Sequence, residues 1–145
     1  MPNIYQLYEN VREMDVVDIA KIVIMGSHER IVALQKEQLK HGKDATGDDI
    51  APSYKSGVYA DYKQSMNSLP EWGTPDLCLE GNFYRGIYFN DDMMNLTSDD
   101  PKTPSLKEKY GEGILGLNTE YLKKYGPYFK EKYKEEFNAQ LIGKY

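Results

Sequence analysis

A single cysteine, Cys78, occurs in the whole chain. No intrachain disulfide can form, and cytosolic assembly is the natural expectation. A cationic excess is missing too: 18 Lys and Arg stand against 23 Asp and Glu, for a net charge of −5. General affinity for nucleic-acid phosphates needs clustered Lys and Arg. That class is disfavoured, although a surface that DNA slides past without sticking is not. Long apolar runs are absent. The densest, Val16–Met25, is ten residues long and contains Asp18 and Lys21, whereas a membrane span needs about twenty mostly apolar residues. No membrane is expected. The opening Met-Pro-Asn-Ile-Tyr-Gln has no basic stretch leading into an apolar run, so no signal peptide is expected. Internal repeats and low-complexity tracts are also lacking.

Forty per cent of residues are hydrophobic and 28% charged, which fits a folded chain over a disordered one. The length suits a single domain over residues 1–145. Tyrosine is in excess, 13 against four Phe and one Trp. With an apolar ring and a wet end, tyrosine suits contact surfaces and the boundary of a shallow core equally well.

The first third reads as helix. Asn3 to Met14 forms a short candidate, and Asp15 can cap a longer helix starting at Val16. Val17, Ala20, Ile24, Ile31 and Leu34 share one face of it, and Val16, Ile19 and Val23 broaden the stripe. Its first half is therefore apolar nearly all round and expected to be covered by neighbours, other subunits among them. Gly26-Ser27 is its soft point and Gly42 its stop. Tyr54, Val58, Tyr59 and Tyr62 can form a helical face, weakened by Gly57. Residues 67–76 read as loop. Leu77, Leu79, Phe83, Ile87 and Phe89 read as strand positions, Asn90-Asp91-Asp92 as a turn, and Met93 to Thr97 as a returning strand. Thr103-Pro104 starts a short helix that Gly111 ends, Gly113 to Leu117 is an extended link, and Asn118 caps a final helix. There Tyr125, Phe129, Tyr133, Phe137 and Leu141 recur every four residues, drifting about 40° per step, and Gly126-Pro127 is expected to kink or restart it. The predicted fold is α+β: a long N-terminal helix, a small antiparallel sheet centred on residues 77–98, and C-terminal helices.

Three clusters invite a chemical reading. Asp44, Asp48 and Asp49 with Gly47 resemble a calcium loop, but the alternating ligands and closing glutamate are missing. No Gly-Lys-Ser/Thr phosphate loop is present either. Asp91-Asp92 and Asp99-Asp100 fall at turns, where aspartate binds backbone groups. His28 and His41 are too far apart for an i, i+4 metal pair, and Cys78 has no basic neighbour in sequence to depress its pKa. The expectation is no catalytic, cofactor-binding or metal residue, no cofactor, and no enzyme.

A further pattern runs through Gln38-Leu39, Gly42-Lys43-Asp44, Gly47 and Ile50-x-Pro52-x-Tyr54, followed by Tyr59 and Lys63. It continues with Thr74-Pro75-Asp76-Leu77-x-Leu79-x-Gly81-x-Phe83-Tyr84, Lys109-Tyr110-Gly111 and Ile114-x-Gly116-Leu117. By the order and spacing of these segments, over roughly residues 30–120, the chain resembles small structural proteins of tailed bacteriophages and prophages of Bacteroides-type hosts. It is similar, more distantly, to the tail-completion and virion-morphogenesis proteins of long-tailed phages. The resemblance implies a head–tail connector or neck component of the virion, assembled in the bacterial host cytoplasm. Such proteins form homo-oligomeric rings that join the portal to adjacent neck and tail proteins and surround DNA without sequence-specific binding. The tyrosine-rich last helix and unusually apolar first helix depart from the long-tailed-phage version. Interfaces are expected at the hairpin from Asn90 to Asn95 and at the ends of the first and last helices. Two alternatives are a small phage-encoded regulatory protein absent from the virion and an enzyme whose carboxylates converge from different elements.

Overall fold

The computed structural model describes residues 2–143. Helix α1 (Ile4–Glu13) starts on a capping box: Asn3 Oδ1 accepts from Gln6 N, and Gln6 Oε1 accepts from Asn3 N, both at 2.9 Å. Asp15 caps α2 (Val16–Met25) by accepting from Val17 N at 2.9 Å and Asp18 N at 3.2 Å. The long helix expected from Val16 is not formed as one piece. It breaks at Gly26-Ser27, and α3 (His28–Lys40) starts afresh. Glycine is a weak helix former. Ser27 N reaches back only three residues, to Ile24 O, and Ser27 Oγ takes Val23 O at 2.5 Å, so local bonds replace the continuing ladder.

Helix α4 (Gly57–Met66) is capped by Ser56. Tyr54 lies outside it and Val58 is exposed; the face it buries carries Ala60 and Lys63 instead. The strand expected at Leu77 to Phe83 is absent. Leu77 takes a left-handed φ of 60°, and Phe83 and Tyr84 sit in the short α5 (Asn82–Gly86). An apolar run this short does not distinguish strand from buried helix. The sheet is a single antiparallel pair, β1 (Ile87–Asn90) with β2 (Asn95–Ser98), in register from Ile87 with Ser98 to Asn90 with Asn95. Met93 and Met94 belong to its turn, not to the returning strand, and Met94 has φ 51°.

Helix α6 (Thr103–Tyr110) ends at Gly111. The link from Gly113 opens with a 3-10 turn, Glu112–Ile114, and becomes extended only at Leu115. Asn118 Oδ1 accepts from Tyr121 N and so starts α7 (Thr119–Leu141), which runs through Gly126-Pro127 without restarting. The fold is α+β.

The chain forms two compact units. Glu29–Lys123 build the larger one around Leu39, Ile50, Phe83, Tyr84, Ile87, Ile114 and Leu115. Residues up to His28, with those from Lys124 on, build the smaller: α1, α2 and most of α7. In the smaller unit Asn10 Nδ2 donates to Leu141 O at 2.7 Å and Tyr133 Oη to Val16 O at 3.3 Å. Its apolar interior is thin. Among the described residues Ile19, Val23 and Tyr125 are its buried hydrophobic ones, and α1 buries none.

In the larger unit two fully buried glutamines of α3 fix the 114–118 link. Gln35 Oε1 accepts from Gly116 N at 2.6 Å. Gln38 Nε2 donates to Gly116 O at 2.8 Å, and its Oε1 accepts from Asn118 N at 2.8 Å. Replacing Gln38 by Leu keeps the volume roughly constant and orphans one carbonyl and one N–H. At about 1–3 kcal/mol for each buried unsatisfied group, Gln38→Leu is expected to lower unfolding free energy by about 2–6 kcal/mol. Urea titration with an unchanged m-value checks it. A loss below about 1 kcal/mol would show that the link does not depend on this side chain.

Candidate functional site

The loop Gly42 to Tyr54 turns its polar groups on itself. Gly42 has φ 70°, and a Cβ there would meet Thr74 Cγ2 at 2.8 Å and Pro70 Cβ at 2.9 Å, so both conformation and space require glycine. Asp44 Oδ1 accepts from Thr46 N, Thr46 Oγ1 and Asp48 N, the local pattern of an aspartate turn. Asp49 pairs with Lys43 Nζ at 2.5 Å across an antiparallel bridge. That hydrogen bond, followed by the charge of Asp49, raises the Lys43 pKa despite the opposing effect of desolvation. Asn118 Nδ2 donates to Asp44 O, and Ala45 N to Gly113 O, which fastens the loop to the 113–118 link. Among the described residues no group of three or more His, Cys, Asp or Glu is placed to hold a metal ion.

The other polar candidates are dispersed. Asp91 and Asp92 lie in the hairpin turn, where Asn90 Oδ1 accepts from Met93 N. Asp100 is buried and its Oδ1 accepts from Lys102 N at the start of α6. His41, at the end of α3, has Nδ1 2.9 Å from Glu37 O and 3.2 Å from Tyr121 Oη. Cys78 is half-buried and lies outside any strand. What approaches it is Lys63, whose Nζ donates to Cys78 O at 2.5 Å and lies 2.9 Å from Asp76 Oδ1.

This Lys63–Asp76 pair is the charged centre of the larger unit. Both side chains are buried. Asp76 also accepts from Asn67 Nδ2 and Cys78 N, while its backbone carbonyl accepts from Tyr84 Oη at 2.6 Å. The ammonium and the carboxylate are thus each held by several partners, as a buried pair must be to offset its desolvation. A cavity of about 200 Å³ opens beside the pair, walled by Tyr54, Tyr59, Phe83, Leu106 and Tyr110. Ligand pockets usually run to about 300–1,000 Å³, so this one has the size for one or two apolar side chains. Lys63 cross-links its wall through Cys78 O and Asp76.

Lys63, Asp76 and Tyr84 stand in the motif order of the sequence, but their mutual contact has no signal in spacing. Gln35 was missed altogether: one glutamine within a helical segment reads as surface. Of the expected interface elements, the hairpin exposes Tyr88 and Met93, the start of α1 exposes Ile4 and Tyr5, and Ile142 is exposed just after α7.

Burial, followed by the Asp76 charge, pushes the phenols of both Tyr54 and Tyr84 well above the usual tyrosine range. Their protonated forms are favoured by folding, so their contribution is complete below the unfolded pKa of about 10 and is lost as pH rises beyond it. Tyr84→Phe is expected to cost about 1–3 kcal/mol at neutral pH by orphaning Asp76 O and to flatten the alkaline decline. Denaturant unfolding at neutral and strongly alkaline pH checks both. Parallel declines in variant and wild type would rule out Tyr84 as a source of the pH dependence.

No protein-family model, curated protein or solved structure matches the chain.

Proposed function

We propose that the protein is a structural component of a tailed-phage virion, forming or joining a ring in the neck or tail that connects the portal to the tail and surrounds the DNA channel. Two supports carry the reading. The order of the Gln38 to Leu117 segments supplies the family resemblance. The observation that carries assembly is the uncovered apolar surface of α1 and α2: Ile4, Tyr5, Tyr8, Val11, Val16, Val17, Ile22 and Met25 are all exposed. Apolar side chains scattered singly on a surface need no explanation, but a concentration on two adjacent helices marks an interaction site.

The role is architectural. The polar groups of the Gly42 loop and of the Lys63–Asp76 centre bind one another and shape the chain. A ring of identical subunits closes through heterologous contacts, in which two different patches of one subunit meet. A net acidic subunit has few cationic partners for phosphate, so DNA can pass without being held.

Native mass spectrometry of the purified protein, alone and with its portal protein, tests the proposal. The expected result is a closed oligomer or a portal-bound complex, with the chain present in purified particles. A persistent monomer that joins neither portal nor tail counts against it. A chain that binds host proteins and is absent from particles supports the regulatory alternative.

A further inference from the structure

Asp100 is 9% exposed and only half satisfied. Its Oδ1 accepts from Lys102 N at 3.0 Å, and its backbone carbonyl accepts from Thr103 N, so one side of the residue starts α6. Its Oδ2 is buried and has no hydrogen-bond partner among the described residues. Buried polar atoms are normally met, and an unmet carboxylate oxygen costs more than an unmet neutral group. Asp76, a second buried carboxylate, follows the rule: Lys63 Nζ, Asn67 Nδ2 and Cys78 N all reach it.

Asp100 lines the cavity of about 200 Å³ together with Tyr54, Tyr59, Phe83, Leu106 and Tyr110. Tyr54 stands just before α4 and Tyr59 within it. Their rings meet edge to face, with centroids 5.0 Å apart and planes at 85°, and so make a right-angled corner. Leu106 and Tyr110 lie one turn apart on α6 and share a face of it. An apolar cavity of about 150 Å³ accepts a benzene molecule, so this one takes a ligand of a few heavy atoms.

Charge and shape together select the ligand class. Aromatic faces attract a cation within about 6 Å of the ring, and a carboxylate oxygen bonds most strongly to a charged N–H donor. Lys63 does not fill that role, because Cys78 O and Asp76 Oδ1 hold its ammonium. Glu80 and Lys102, also in the lining, are exposed and opposite in charge. An anion would meet Asp100 with like charge, and a neutral apolar group would leave Oδ2 unmet. Asp100 also borders a broader depression lined by Thr97, Ser98, Thr103 and Lys107. Among the described residues no aromatic ring lines that side, so a cation there has no ring face to lie against.

We propose that this cavity receives a primary ammonium on a short alkyl stem, with the ammonium donating to Asp100 Oδ2 and the stem lying against Tyr54, Tyr59, Phe83 and Leu106. The same chemistry belongs to a free small amine and to the end of a lysine side chain. The proposal is independent of the virion reading and stands whether or not the chain enters particles.

Calorimetric titration of the full chain with n-butylammonium tests it. For a ligand of about five non-hydrogen atoms, a dissociation constant on the order of 1 mM is expected. n-Butanol and butyrate, matched in length, are expected to bind at least about 10-fold more weakly. Asp100→Asn keeps the Oδ1 acceptor for Lys102 N and removes the charge. It is expected to keep the circular dichroism spectrum and to weaken n-butylammonium about 10-fold or more. Leu106→Phe leaves Asp100 intact and fills the cavity, and Leu106 does not line the broader depression. This variant is expected to lose binding as well. Nα-acetyl-lysine methylamide separates the two sources: binding at least as tight as that of n-butylammonium assigns the site to a lysine end, and exclusion assigns it to a free amine. Both results keep the ammonium assignment. Equal binding of n-butanol and n-butylammonium, binding that Asp100→Asn leaves unchanged, binding that survives Leu106→Phe, or no binding of n-butylammonium well above the expected concentration overturns the proposal. Should Asp100→Asn fail to fold, the comparison of the three probes and the Leu106→Phe variant decide it.

Discussion

The larger unit depends on two glutamine side chains inside it. A buried amide is tolerated only when its donors and acceptors are met. Gln35 and Gln38 meet theirs with backbone groups nearly eighty residues away, on the 114–118 link. This bond set does what apolar packing alone does badly. Leucines at the same positions would exclude water but leave the link free to slide along α3. The glutamines fix its register, and the Gly42 loop is then fastened to the same link through Ala45 and Asn118. Three segments far apart in sequence are therefore located by one short turn of helix.

The two units solve the burial problem differently. The larger surrounds an apolar cluster and inserts a charged pair whose partners are all supplied by the chain. The smaller places a nearly all-apolar helix, an amphipathic helix and an aromatic ladder together and leaves much of the apolar surface of α1 and α2 exposed. A charged pair satisfied within the chain marks the one, and incomplete apolar burial marks the other.

The legible parts of the sequence were those governed by local chemistry. Asn3, Asp15, Ser56 and Asn118 sit where their side chains cap helices, three of them named from sequence as helix starts, and Gly42 and Gly111 stop helices as their freedom from a Cβ predicts. The errors came where local signals compete. Leu77 to Phe83 has strand-like residues, yet Leu77 turns left-handed and Phe83 enters a helix, because burying Phe83 and Tyr84 outweighs propensity. The break at Gly26-Ser27 was visible as a soft point, but its outcome depended on whether Ser27 bonds its own turn. For the site, the acidic clusters were legible as turns, whereas the Lys63–Asp76–Tyr84 network was not, since contact between residues separated by a loop leaves no periodicity.

The tyrosine excess now divides by position. Tyr84 is buried with its hydroxyl donated to a carbonyl, and Tyr54 is half-buried beside it. Tyr5 and Tyr8 face outward on α1. An outward tyrosine keeps one end solvated where phenylalanine would expose its whole ring. The net charge of −5 adds long-range repulsion between molecules in solution.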